Sequence, residues 1–513
     1  MYCGMNAEAP DPRDIRIAEL ERENAELRAR VAQLEVTLAE LRARLGENSR
    51  NSSRPPSSDR GDARRQRRRK RSSGRSRGGQ PGHGRATRQM LPPDQVTDVR
   101  PPRCRQCHAG LHGQDAAPRR YQRIDLPPIK PVVHEWRLHE LECSKCGHKT
   151  RAAMPGELAQ GSFGPRLTAT VAALTGMYRL SKRNAQRFLH DLMGLELAVG
   201  TISKLECRTS RMLMAPVAQV AAAIRTSPVV NIDETSWVED KQTTWLWSAT
   251  TPELAYYHIA RRTRAVAHQV LGEGFEGIVV SDRMASYADR SPDRRQVCWA
   301  HLDRTFEGIL ARGGPGARFG QAMKNLTTRM WQAWGALRDG QSTRSDFERR
   351  ASRIAVKVRK VLHEFSALRI AKVTPLAQNL LAIEPALWTF VSRPDVEPTN
   401  NAAERALRPG VIHRKTSFGT DSPRGSHFIS RMLSTVESLR RQSRRVFTSS
   451  STFSPRTTII RCPHFYPRKV RHWCERLHAH APRRLDPFLT SGRAYPASSL
   501  AALRLHSRSR EGL

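Results

Sequence analysis

Two short apolar runs in this chain each end on an aspartate. The run Pro228-Val-Val-Asn-Ile-Asp-Glu-Thr-Ser-Trp237 drives a strand-like pattern into Asp233, and Gly277-Ile-Val-Val-Ser-Asp282 ends the same way. A third acid, Glu404, stands far downstream in Asn400-Asn-Ala-Ala-Glu-Arg405. Carboxylates at the ends of buried strands are costly unless something neutralises them. A divalent metal does so while also activating water and polarising a phosphate.

The charge balance names a partner for that chemistry. The chain holds 87 Lys plus Arg against 48 Asp plus Glu, a formal charge of +39 spread along its length. Such a surface attracts phosphate backbones through counterion release, with little regard to base sequence. A purely DNA-binding protein would carry the same charge, so charge selects nucleic acid and not an activity. No apolar stretch approaches the roughly 18 to 20 residues that cross a bilayer, and the start lacks a signal-peptide core. The expectation is a cytoplasmic, nucleoid-associated protein with no membrane partner. Nine scattered cysteines, four of them in two tight pairs, suit thiols that bind metal in a reducing compartment.

Over 13–46 the apolar residues repeat every seven, with Ile17, Val31, Leu38 and Leu45 at one seam position and Leu20, Leu27, Leu34 and Leu41 at the other. This is a leucine zipper of about four heptads. Asn24 sits at the first seam position, where a buried amide pairs with its twin only in a parallel, in-register dimer. Across such a homodimer Arg16 would face Glu21, Glu23 would face Arg28 and Arg30 would face Glu35. Residues 47–95 then turn to Asn, Ser, Pro, Gly and Arg, with the run Arg64-Arg-Gln-Arg-Arg-Arg-Lys-Arg71. Too little there can be buried to oppose chain entropy, so this reads as a disordered basic tether, with Arg67, Arg68 and Arg69 against DNA.

A zinc-binding module is expected over 100–152. Cys104-Arg-Gln-Cys107 and Cys143-Ser-Lys-Cys-Gly147 are two knuckles separated by a segment of strand character at 132–141. Cys104, Cys107, Cys143 and Cys146 can close a tetrahedral Zn2+ site with no open position, hence a structural one. His108 and His148 are neighbours or substitutes. From 160 to 226 the pattern is helical, and a helix ending at Gly194 before a second one opened by Thr201 or Ser203 has the layout of a helix-turn-helix. Thr201, Ser203 and Lys204 would then lie near the groove; an ordinary helical pair gives the same pattern.

Strand patterns at about 228–235, 243–250 and 253–260 form a meander. A helix near 263–271, a strand at 277–282 and another at 295–300 follow. This is the order of a ribonuclease H-like core, a mixed sheet flanked by helices, in which Asp233 and Asp282 fall on neighbouring strands. The first part of the core spans 227–316, a helical insertion 317–392, and the completion of the core 393–445. Strand alternation puts Asp233 in line with Val229 and Glu234 on the other face. Asn400 or Asn401 suits the cap of the helix carrying Glu404. Asp233 as a cap with Glu234 as ligand, Asp282 as a turn residue, and Glu397 in place of Glu404 are the competing readings.

These residues resemble a known family. Asp-Glu-Thr-Ser-Trp, Ser-Asp-Arg with the following Tyr287, Cys298-Trp-Ala-His301 and Asn-Asn-Ala-Ala-Glu-Arg-Ala-Leu-Arg408 are similar to the signature of the DDE transposases of the insertion sequence 66 family. So, in the same order, are the zipper, Asn51-Ser-Ser-Arg-Pro-Pro-Ser-Ser-Asp59, Gly78-Gly-Gln-Pro-Gly-His83 and the cysteine pairs. The resemblance implies that Asp233, Asp282 and Glu404 hold two Mg2+ ions, which serve DNA cleavage at the element's ends and then strand transfer to target DNA. By the same resemblance His301 is expected beside the triad, with a structural histidine as the competing reading. Arg405 and Arg408, close to Glu404 on its helix, are expected to bind the scissile strand, with a solvated helix face as the alternative. The partners implied are double-stranded DNA, a second copy of the chain and accessory proteins of the same element. The alternatives are a dimeric zinc-containing DNA-binding regulator, a nuclease or resolvase that cuts without joining, and an inactive remnant. From 446 to 513 the chain turns to Ser, Pro, Arg and His with no sustained period and resembles out-of-frame translation.

Overall fold

The computed structural model describes residues 12–45, 90–156 and 161–447. Arg67, Arg68 and Arg69 of the basic tether, and the irregular tail from 448 onward, lie outside the described residues.

The first element is one long helix, α1 (Pro12–Leu45). Ile17, Leu20, Leu27, Val31, Leu34 and Leu41 are all exposed along it in the single chain. Arg16 pairs within the helix with Glu19 at 3.0 Å.

The cysteine-bearing segment forms two knuckles. Cys104 N–H bonds to Ala109 O and His108 N–H to Cys104 O, with His108 in the left-handed region at φ 58°. The second knuckle repeats the pattern with Gly147 at φ 69°, between strands β1 (Glu140–Glu142) and β2 (Lys149–Arg151). The strand expected over 132–141 is a correction: only its last two residues enter a ladder. Val132 and Val133 are 99% and 83% exposed, so a β-branched pattern with no strand alongside leaves the backbone unpaired.

Residues 165–225 are helical: α2 (Pro165–Ala172), running on through a π turn at Ala173–Met177, then α3 (Lys182–Met193), α4 (Val199–Met212) and α5 (Met214–Arg225). Ser181 caps α3, and Gly194 ends it in the left-handed conformation. The opening of α4 corrects the sequence reading. Its N-cap is Ala198, whose extended backbone starts the helix a turn early, so Thr201 and Ser203 lie inside it. Leu174, Ala185, Leu189, Ile202 and Leu205 bury the shared apolar face.

The sheet follows, with β3 (Val229–Glu239), β4 (Gln242–Thr250), β5 (Ala255–Ala260), helix α6 (Arg264–Leu271), β6 (Ile278–Ser281) and β7 (Arg295–Val297). Its order is β5-β4-β3-β6-β7, antiparallel on the meander side and parallel from β3 to β6 and β7. The expected last strand stops at Val297, and α7 (Trp299–Arg312) begins where 298–300 read as strand. A short apolar run does not distinguish a buried strand from a buried helix start.

Helices α8 (Ala317–Arg338), α9 (Arg344–Ser366), α10 (Thr374–Ala382) and α11 (Pro385–Ser392) interrupt the sheet domain. Phe319, Phe347 and Phe390 of these helices bury against Phe306 of α7 and against Val280 and Val297. The chain returns through α12 (Asn401–Ser417) and α13 (Pro423–Arg441), which cover the other strands through Trp237, Leu246, Tyr257, Leu407 and Phe428. The outer edge of β5 is closed by serines of α13: Ala255 N–H donates to Ser438 Oγ at 3.0 Å and Tyr257 N–H to Ser434 Oγ at 2.9 Å.

The loop between α12 and α13 is tied to the end of β3 by Thr420 N–H to Val238 O and Asp240 N–H to Thr420 O. Gly419 sits there at φ +107°, and a Cβ would stand 2.1 Å from the Val238 carbonyl oxygen. Gly419→Ala is therefore expected to cost at least about 2 kcal/mol, read from denaturant unfolding, because backbone and not a flexible side chain must move.

Candidate active site

Asp233 lies midway along β3, on the face shared with Asn231 and Trp237, where α12 packs. Glu234 faces the other way and is buried. Tyr287 Oη donates to its Oε2 at 2.6 Å and Arg262 Nε to its Oε1 at 2.9 Å. Both oxygens of Glu234 are thus spent on fixed partners. Asp282 follows the last residue of β6, and its Oδ1 accepts the Met284 N–H at 3.0 Å, which orients the carboxylate as the chain turns.

Glu404 occupies the first turn of α12, where the helix dipole favours an anion. His301 lies in the first turn of α7, and its Nδ1 is 3.6 Å from Glu404 Oε1. Arg304 Nη2 is 3.5 Å from the same oxygen.

What holds these groups together is a set of bonds among residues distant in sequence. Cys298 N–H donates to Ser281 O, joining the start of α7 to the strand end that precedes Asp282. Trp299 N–H donates to Pro398 O at 2.9 Å, and Asn400 N–H to Cys298 Sγ at 3.2 Å, so the starts of α7 and α12 are stapled to each other. Asn400 Nδ2 donates to Ile232 O at 2.8 Å, and its Oδ1 accepts from Asn231 Nδ2 at 3.3 Å. Asn400 does stand at the N-cap of α12, yet its side chain caps nothing. Its fully buried amide is engaged by the sheet, one residue from Asp233. Cys298, Asn400 and Arg304 were not singled out from the sequence as site residues; the presence of Asn400 and Cys298 inside two of the motifs was the available signal.

The electrostatics follow from this assembly. Burial pushes the Asp233 carboxyl well above the ordinary carboxylate range, and the negative charges of Glu234, Asp282 and Glu404 push it further. For His301, burial and then the Arg304 guanidinium lower the pKa, against the opposing pull of Glu404 and Asp282, which keeps the imidazole neutral at pH 7. The charged neighbours that shift Asp233 are all acids, while arginines stand beside Glu234, Asp282 and Glu404. The oxygens of Asp233, Asp282 and Glu404 do not all lie within 4.8 Å of one another among the described residues. Carboxylate donors suit a hard divalent cation, which takes oxygen ligands.

That imbalance gives a signed expectation. Because the folded pKa of Asp233 is raised, its contribution to stability is full below the ordinary carboxylate pKa and is lost as pH rises through the raised value. At neutral pH without metal, Asp233→Asn should raise Tm by roughly 2–4 °C for about 1 kcal/mol of relieved repulsion. Thermal melts in chelator across pH 4 to 8 would test it, with the gap between the proteins closing toward acid.

The remaining sequence candidates are spread out. Lys204 is exposed on α4, while Ser203 Oγ accepts from Lys182 Nζ at 2.8 Å and Thr201 is half-buried. Arg405 and Arg408 are exposed on α12. In each cysteine knuckle, backbone N–H groups aimed at the first sulfur hold the thiols of Cys104 and Cys143 below their usual pKa. Cys104, Cys107, Cys143 and Cys146 do not form a group of three or more ligand atoms within 4.8 Å of one another among the described residues. Among the described residues, the group of three metal-ligating side chains with ligand atoms within 4.8 Å of one another is Cys298, His301 and Glu404.

A mixed five-stranded sheet in this order, flanked by helices and carrying acids on adjacent central strands, is consistent with the ribonuclease H-like core of DDE enzymes. The chain belongs to the Transposase IS66 family, whose sequence pattern matches residues 160–427. Residues 7–89 match a family of unknown function (DUF6444). An uncharacterized protein of Sinorhizobium fredii (strain NBRC 101917 / NGR234), y4qI, is 27% identical over 208 residues, covering 35% of this chain and 38% of that protein. This chain therefore aligns with well under half the length of that relative. Among the described residues no helix is long and apolar enough to cross a membrane.

Proposed function

We propose that this chain cuts DNA at the ends of an insertion element and joins the freed ends to target DNA, with Asp233, Asp282 and Glu404 holding two magnesium ions and His301 beside them. The observation that carries the reading is the crowding of negative charge around Asp233, which calls for a cation. Magnesium bound there would supply an activated water or hydroxyl and neutralise charge at the phosphate. In the first displacement the water oxygen bonds to phosphorus and the 3′ oxygen of the element leaves as a hydroxyl. In the second, that 3′ oxygen attacks a target phosphate and the target's own 3′ oxygen leaves. Neither step needs a nucleophile from the protein.

The chain's own residues have separate tasks in this reading. Neutral His301 offers a hydrogen bond to a phosphate oxygen without adding charge. Arg304 balances Glu404 before a cation arrives. The exposed Lys204, Arg405 and Arg408 engage the DNA backbone, with Thr201 and Ser203 near the groove and Arg67, Arg68 and Arg69 on the tether. The row of exposed leucines on α1 supports a parallel homodimer. Accessory proteins of the same element are a further expected partner.

Cys104, Cys107, Cys143 and Cys146 would hold a structural zinc that draws the two knuckles together, a role supported by the backbone N–H groups that lower the pKa of Cys104 and Cys143 and so ease loss of their protons. Metal analysis after exhaustive dialysis should find zinc in the purified chain, and Cys143→Ser should release it; equal zinc in both proteins would end this assignment.

A labelled element end, a supercoiled plasmid and magnesium distinguish the activities. Joined product supports the proposal, cut ends alone indicate a nuclease, and retention without cleavage indicates a DNA-binding regulator or an inactive copy.

A further inference from the structure

We propose that Cys298, His301 and Glu404 form a second metal site that takes zinc, and that zinc bound there withdraws Glu404 from the magnesium-binding carboxylates and switches the enzyme off. The inhibitory half rests on the reading of Glu404 as a magnesium ligand; the binding half does not.

The site is built on rigid elements. Cys298 is the N-cap of α7, His301 lies in its first turn, and Glu404 lies in the first turn of α12. The staples Trp299 N–H to Pro398 O and Asn400 N–H to Cys298 Sγ fix the two helix starts against each other. The sulfur, an imidazole nitrogen and a carboxylate oxygen all lie within 4.8 Å of one another. The His301 Nδ1 to Glu404 Oε1 separation is 3.6 Å. Zinc bonds of 2.0 to 2.3 Å in a tetrahedron set ligand atoms roughly 3.3 to 3.8 Å apart, so small adjustments suffice.

A second observation points to a ligand. His301 Nδ1 is buried and makes no hydrogen bond, although buried polar atoms nearly always do. An ion between it, the fully buried Cys298 sulfur and Glu404 would meet that need.

The donor set selects the metal. One thiolate, one imidazole and one carboxylate suit Zn2+ or Co2+, whereas Mg2+ takes oxygen ligands. On binding, the Cys298 thiol passes its proton to solvent. The Arg304 tip, 3.5 Å from Glu404 Oε1, gives way to the stronger local charge. Three protein ligands leave a fourth position for water.

The test uses the full chain with Cys104, Cys107, Cys143 and Cys146 replaced by serine, with and without Cys298→Ser, which keeps an acceptor for the Asn400 N–H. Equilibrium dialysis against zinc should report one metal more than the Cys298→Ser form takes up, and the thiolate-to-cobalt charge-transfer band with Co2+ should be lost on Cys298→Ser. The same difference of one metal is expected between the chain with intact knuckles and its Cys298→Ser form, which covers the case in which loss of the knuckles unfolds that segment. Equal metal uptake with and without Cys298 overturns the proposal. The second arm measures cleavage of the labelled end in magnesium, as the ratio with and without micromolar zinc for each protein. That ratio should fall at least about tenfold when Cys298 is present and stay near one when it is replaced. If zinc binds through Cys298 but the ratio is unchanged, the switch is wrong while the site stands. If magnesium supports no cleavage in any form, the carboxylate reading fails and the binding arm still decides the zinc site.

Discussion

Replacing Asp233 with alanine should abolish strand cutting and joining by at least about a thousandfold, roughly 4 kcal/mol of barrier, while leaving retention of the element end intact. The separation of effects follows from position. Asp233 is half-buried on the sheet, among carboxylates, whereas Lys204, Arg405 and Arg408, proposed to meet the phosphate backbone, are exposed. Gel retention and cleavage run on the same labelled duplex give both readouts. Loss of retention together with cleavage would assign Asp233 to the scaffold. The alanine variant should also melt no lower than the parent chain in chelator, because the charge removed is one that burial and three neighbouring acids disfavour.

Asn400→Ala should lower both stability and activity, by about 2–4 kcal/mol for the fold and by more than about a hundredfold in cleavage. Its amide is fully buried and serves Ile232 O and Asn231 Nδ2 at once, so truncation leaves two polar groups in the sheet without partners. The same bonds hold the start of α12, and so Glu404, to the strand that carries Asp233. Asn400→Asp retains one oxygen acceptor but adds a negative charge beside the acids, and should be worse for cleavage than for folding. Urea midpoints and single-turnover cleavage measured on the same preparations separate the two components. Full cleavage in a destabilised Asn400→Ala protein would show that Glu404 is positioned by other contacts.

The central sheet was legible because its strands carry their own signal. Apolar runs bounded by turn residues marked all five strands, and the order of elements carried the mixed topology. Asp233 and Asp282 stood out because a charged residue at the end of such a run is a physical anomaly. Glu404 did not stand out that way, since an acid in the first turn of a helix is ordinary and Glu397 is close by; the surrounding motif selected it. The start of α7 was misread because Val297, Cys298 and Trp299 are apolar in a strand and in a buried helix start alike. Asn400 was expected to cap its own helix, the local use of that side chain. Its actual partners lie in β3, and hydrogen bonds across that distance leave no periodicity to read. The same limit applies to the knuckles, where spacing predicts each turn but not the approach of one pair to the other.

The helical insertion between β7 and α12 has a consequence for synthesis. Asp233 and Asp282 emerge from the ribosome early and can settle into a sheet, but their third companion arrives only after the four insertion helices have been made. A nascent or prematurely terminated chain that stops within the insertion therefore lacks an acid proposed to be essential for breaking DNA. On the proposed reading, the order of translation would keep an unfinished chain from cutting DNA.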